Sequence, residues 1–141
     1  MSRAKEKLRL GVFERALFEC EYCRSPQDLL WADLEIEHIQ PKAKGGKTVD
    51  DNLCAACRKC NELKRVQTEA ADPDSGAMAP LYHPRTQMWG DHFEFSADGG
   101  LILGKTATGR ATVESLQLNR TRAVLLRRLW TKTGWRPPRE R

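Results

Sequence analysis

The sequence has no apolar run long enough to span a bilayer, and its N-terminus is charged where a secretory signal needs an apolar stretch. Both absences argue against membrane insertion and export, so a cytoplasmic protein with no membrane contact is expected. An even set of cysteines is also missing. There are five, and an odd count in a reducing compartment argues against a disulfide framework. No internal repeat occurs beyond two Cys-x-x-Cys pairs, and there is no low-complexity tract. Only three histidines are present, so each can be weighed singly.

Charge is plentiful. Charged residues make up 30% of the chain, and the net charge is +5. The basic residues gather in three places. Arg3, Lys5, Lys7, Arg9 and Arg15 lie near the start. Lys42, Lys44, Lys47, Arg58, Lys59, Lys64 and Arg65 lie in the middle. Arg120, Arg122, Arg127, Arg128, Lys132, Arg136, Arg139 and Arg141 lie near the end. Such a surface suits a polyanion, because neutralising phosphates releases counterions. On charge alone, ordinary solvated helix faces are the simpler reading.

Leu8, Val12, Ala16 and Leu17 recur at helical spacing, which predicts an amphipathic helix over 3–19. The alternation over 34–39 predicts a short strand, and Pro41 with Gly45-Gly46 predicts a loop after it. A short helix is expected from about Arg58. Residues 70–80 read as an exposed loop and the best candidate boundary. Two strands are expected at 92–96 and 101–103 around Asp98-Gly99-Gly100. A helical stretch follows from Thr108 to about Leu118. A last helix, capped by Asn119 or Thr121, carries Val124, Leu125, Leu129 and Trp130 as one stripe. Pro137-Pro138 ends regular structure.

Cys20-x-x-Cys23 and Cys57-x-x-Cys60 match a tetrahedral four-cysteine site, each pair on a knuckle-like turn. Zinc is the commonest ion for such thiolates. An iron–sulfur cluster, a redox pair and merely buried cysteines are the alternatives. Cys54 is left over and reads as a small buried apolar side chain.

Between the pairs stands Glu37-His38. Phosphodiester hydrolysis needs an activated water, a charge to offset the developing negative charge on phosphorus, and help for the leaving oxygen. A histidine can take the proton from water, and a divalent cation can serve both oxygens. Mg²⁺ or Mn²⁺ prefers oxygen donors, which Glu37 and Asn61 offer. Cys57 and Cys60, with their ion, would fix the start of the helix that carries Asn61. His83 reads as a loop residue and His92 as a strand start. Trp31, Trp89, Trp130 and Trp135 read as core or surface anchors. Glu35 shares a strand face with Glu37 but lacks the adjacent histidine, and reads as a solvent-facing charge.

Taken together, Ile36-Glu37-His38-Ile39-x-Pro41, Gly45-Gly46, Asn52-Leu53 and Cys57-x-x-Cys60-Asn61-x-x-Lys64, preceded by Cys20-x-x-Cys23, resemble the HNH endonuclease motif of zinc-bearing members. Residues 1–19 and 80–138 resemble the flanks of small stand-alone bacterial HNH proteins. The resemblance implies an α+β fold: a ββα-metal core with a four-cysteine zinc site, flanked by an N-terminal helix and a C-terminal β-hairpin plus helices. It implies His38 as general base, Glu37 as the acidic ligand, Asn52 as a loop brace and Asn61 as the second ligand. Glu37 stands where aspartate is more usual, and Asn61 where the motif is named for histidine.

Residues 1–69 are expected to hold the N-terminal helix and the zinc-stapled core. Residues 70–141 would be an extension packed on that core as one compact unit. The expected activity is DNA cleavage with structural Zn²⁺ and catalytic Mg²⁺ or Mn²⁺. Lys64, Arg58 and Lys59 would meet the nucleic acid. Duplex DNA is the expected partner, with RNA left open and a homodimer one route to double-strand cutting. The alternative is a non-catalytic zinc-knuckle module that binds nucleic acid or a protein.

Overall fold

A computed structural model describes residues 2–135 and 137. Arg136, Pro138, Arg139 and Arg141, named above, lie outside the described residues. The chain divides into two units, Met1–Val66 and Gln67–Arg141. Among the described residues the architecture is α+β, with three two-stranded antiparallel sheets and short helices. No described helix is long and apolar enough to cross a membrane.

The first unit opens with α1, Arg3–Arg15, whose first turn is capped by the Ser2 hydroxyl accepting from Lys5 N. The helix stops short of the expected residue 19 because Leu17 and Phe18 adopt positive φ values of 55° and 56°. Their amides fold back onto Glu14 and Phe13 carbonyls. Val12, Phe13 and Ala16 are therefore its buried face, while Leu17 is 63% exposed. The reversal delivers Cys20 to the first knuckle. Strand β1, Glu35–His38, pairs with β2, Leu53–Ala56, placing Glu37 opposite Cys54 and His38 opposite Leu53. Every residue of β2 is buried. One reason is Glu21 in the knuckle: its amide donates to Ala55 O and its carboxylate accepts from Ala55 N, both at 2.8 Å. Helix α2, Arg58–Lys64, follows at once and packs on β1.

In the second unit the expected loop over 70–80 is a hairpin of β3, Glu69–Ala71, and β4, Met78–Pro80. Its turn is organised by the buried Asp72 carboxylate, which accepts from Asp74 N, Ser75 Oγ and both Arg110 nitrogens at 2.9–3.1 Å. Arg110 holds that carboxyl well below the usual range. His92 ends a short helix, α3 (Trp89–His92), instead of starting a strand. Strands β5, Phe93–Phe95, and β6, Ile102–Gly104, form the second hairpin. Helix α4, Ala107–Ser115, is capped by Thr106, and α5 is Thr121–Lys132.

Asn119 does not cap α5. Its amide accepts from Ile102 N and donates to Ile102 O, both at 2.8 Å. The buried face of α5 also differs from the expected stripe. Ala123, Val124 and Arg127 are buried, whereas Leu125 and Leu129 are more than half exposed. Arg127 turns inward because its guanidinium is received by Gly100 O and Leu118 O at 2.8 and 2.7 Å. In this unit's core Trp89 stacks on Phe95 and tilts against Phe93, which meets Tyr82 edge-on. Trp31, in the first unit, is fully exposed.

Candidate nuclease and metal centres

Two centres lie in the first unit. Cys20, Cys23, Cys57 and Cys60 converge with all four sulfurs within 4.8 Å of one another, every one buried. The Cys23 and Cys57 sulfurs are 3.8 Å apart. A tetrahedron with metal–sulfur bonds of about 2.3 Å has edges of about 3.8 Å. Cys23 N points at Cys20 Sγ and Cys60 N at Cys57 Sγ, each at 3.4 Å. These amides stabilise thiolates, and the second also caps α2.

Burial pushes the Cys20 thiol well up, and hydrogen bonding within the cluster, from Cys20 first, pushes Cys60 up. Hydrogen bonding, again from Cys20 first, pulls Cys23 well down. Four buried sulfurs this close together can all be thiolates only beside a cation's charge. The residues fit a tetrahedral metal, and a soft thiolate set suits zinc.

The second centre is built on β1 and its loop. Glu37 is buried, with 3% of its surface exposed. Its Oε2 accepts from the Tyr22 hydroxyl at 2.7 Å and the Cys54 thiol at 3.1 Å. Burial, followed by the charges beside it, raises the Tyr22 hydroxyl and Cys54 thiol pKa values well above normal, so both stay protonated as donors. Cys54 is therefore a hydrogen-bonding group as well as apolar filling. Lys64 Nζ lies 2.5 Å from Glu37 Oε1. Oε1 accepts no hydrogen bond. Two opposite charges this close and this buried form an ion pair. The ammonium does donate to Ile39 O at 3.0 Å. Lys64 thus faces inward, not towards the phosphate expected from the sequence.

Asn61 Nδ2 donates to Glu35 Oε1 at 2.9 Å, and Arg58 Nε donates to Glu35 Oε2 at 3.3 Å. Glu35 is therefore tied to α2 instead of standing free in solvent. Arg58 is engaged there, and Lys59 is partly exposed beside Glu62 at 3.7 Å. Of the two oxygen donors expected for a divalent cation, Glu37 is closed by Lys64, Tyr22 and Cys54, and Asn61 is turned onto Glu35. In this arrangement they do not fit an open divalent site.

His38 is half-buried, and its Nε2 lies 2.9 Å from Thr48 Oγ1. Burial lowers its pKa, the Lys42 charge lowers it further, and Glu37 opposes both. Asn52 clamps the loop that follows. Its Oδ1 accepts from Gln40 N at 2.8 Å, and its Nδ2 donates to Gln40 O and Lys47 O at 3.0 and 2.9 Å. Sequence reasoning missed Tyr22 and Thr48. The signal for Tyr22 is its place inside the first Cys-x-x-Cys, which aims it at β1. Thr48 carries no local signal. His83 and His92 lie in the second unit, outside this centre.

Comparison with protein families falls on the same segment. Residues 20–67 match the HNH endonuclease family profile. A stretch of 52 residues is 38% identical to the CRISPR-associated endonuclease Cas9 of Corynebacterium diphtheriae, covering 36% of this chain and 5% of that protein. No solved structure matches. The strand pair, the following helix and the cysteine quartet all lie within residues 20–67, the segment that is similar to the HNH endonuclease family.

Proposed function

We propose that this domain hydrolyses phosphodiester bonds in DNA, with His38 as the general base. The observation that carries the reading is His38 itself. It is half-buried beside the clamped loop, with its pKa pushed towards the neutral form. In the tautomer whose Nε2–H donates to Thr48 Oγ1, the Nδ1 lone pair has no hydrogen-bond partner among the described residues and is left for a water. A neutral imidazole at near-neutral pH takes the water's proton as the oxygen attacks phosphorus. Glu37 underlies His38 as a buried anion that steadies the imidazolium once formed. Zinc in the cysteine quartet would hold the knuckles, and through Cys57 the start of α2.

Supercoiled plasmid incubated with the protein and Mg²⁺ or Mn²⁺ should be nicked, and EDTA should test the cation requirement. His38→Ala should lower the rate by roughly 100-fold or more, the scale of general base catalysis, with zinc content and circular dichroism unchanged. Cleavage should rise with pH as His38 loses its proton, with the rising limb below the ordinary imidazole value of about 6.5. A variant that cuts as fast as the parent would remove His38 from the mechanism.

One observation favours a second reading, a zinc-stapled module that binds nucleic acid without cutting it. The carboxylate expected to hold the catalytic cation is closed by Lys64. That reading predicts salt-sensitive binding and no cleavage in any divalent metal.

A further inference from the structure

We infer that the loop between β1 and β2 is the element that grips the phosphodiester backbone, through Lys42, Lys44 and Lys47. The inference rests on the nuclease reading of the domain. Three independent features support it.

The first is the state of the cations elsewhere near the centre. The helix expected to meet nucleic acid has little to offer: Lys64 is buried on Glu37, Arg58 is held by Glu35, and Lys59 is beside Glu62. The loop lysines are different. All three are exposed, and among the described residues none has an ion-pair partner. Residues 40–49 contain no aspartate or glutamate. Asp50 and Asp51 follow at the end of the same loop, and neither pairs with a loop lysine among the described residues.

The second feature is rigidity. A loop that merely carried solvated charge would not need fixing, yet this one is tied at several points. Pro41 O receives both Lys44 N and Gly46 N at 2.9 Å. Gln40 Nε2 donates to Lys44 O at 3.0 Å. Asn52 spans Gln40 and Lys47. Gly45 supplies a φ of 85°, and a β-carbon on Gly46 would collide with the Gln40 carbonyl. Two of these ties end on the carbonyls of Lys44 and Lys47, so they set where those side chains leave the backbone.

The third feature is position. The loop begins two residues after His38 and returns to it through Thr48. Lys42 stands near enough to weigh on the imidazole's charge. A backbone held across this loop puts a phosphate next to the base, the juxtaposition that hydrolysis requires. Each lysine acts as a point charge without base readout, so affinity and salt dependence are expected, and sequence preference is not.

The test measures binding of a fluorescein-labelled DNA duplex across a salt series, in a His38→Ala background that removes cleavage. Compared are that protein, a Lys42→Gln/Lys44→Gln/Lys47→Gln variant and a Lys59→Gln variant. The loop variant should bind at least about tenfold more weakly at 0.1 M salt. Its log–log salt slope should be shallower by about 2 to 3, since each phosphate contact contributes about 0.9. Lys59→Gln should change little. Zinc content and circular dichroism should match throughout, because the loop ammonium groups are exposed and unpaired.

Unchanged affinity and slope in the loop variant would overturn the inference, as would absence of salt-sensitive binding in the reference protein. Plasmid cleavage by the protein with His38 intact separates the two readings. Cleavage with loop-independent binding sinks the loop assignment alone. Loop-dependent binding without cleavage sinks the catalytic reading and leaves the loop as the binding element.

Discussion

Glu37 and Lys64 bury both their charges, with side chains 2% and 1% exposed. Desolvating an isolated pair is expensive, and the neighbouring donors offset much of that cost. Tyr22 and Cys54 donate to Glu37, and Ile39 O receives Lys64. Removing one partner leaves the other unpaired. Lys64→Met should therefore destabilise the first unit by about 3 to 5 kcal/mol in urea titration. The double variant Lys64→Met/Glu37→Gln should recover much of that loss. If the single change is neutral, the pair does not form in solution. Sequence spacing placed Lys64 one turn beyond Asn61, on the same side of α2, but could not say which way the ammonium points. That depends on how closely α2 packs on β1, a tertiary distance that no local pattern encodes. Glu35 is the same case: strand alternation puts it on Glu37's face, and only the packed helix supplies Asn61 and Arg58 as partners.

At the level of elements, what was legible in sequence is what closes locally. Each cysteine pair is separated by two residues, so its turn is a matter of local spacing, and the quartet converges as the spacing implied. The β1–β2–α2 order follows from the motif between the pairs. The β3–β4 hairpin was not legible, because its strands are three residues each and its turn depends on Arg110 from α4, 38 residues away. The reach of Asn119 to Ile102 was hidden for the same reason. Locality also sets what a single ligand does. Cys57 is both a sulfur of the quartet and the N-cap of α2. Cys57→Ser would keep a cap acceptor but break the thiolate set. If the cap governs α2, the variant should keep its helix signal in circular dichroism while its zinc content falls. We expect both to fall, since structural zinc contributes about 10 kcal/mol or more of apparent folding free energy, against about 1 kcal/mol for a cap.

At the scale of the molecule, the two units draw on different sources of stability. The first buries all five cysteines and an ion pair beside only a few large apolar side chains, Phe13, Tyr22, Leu34, Ile39 and Leu53, with Ala55 and Ala56 in β2. A unit of that kind depends on a metal for much of its folding free energy. The second has an aromatic core of Tyr82, Trp89, Phe93 and Phe95, and it contributes none of the cysteines of the quartet. Two-state behaviour is therefore not expected of the whole chain. Calorimetry should resolve two transitions, and a zinc chelator should lower one and leave the other in place. Because Trp89 is buried in the second unit, its fluorescence should follow the chelator-resistant transition. Limited proteolysis of the chelated protein should then degrade Met1–Val66 and spare a fragment that begins near Gln67. A single transition, shifted whole by the chelator, would mean that the metal's stabilisation reaches both units and that their sources of stability are not separate.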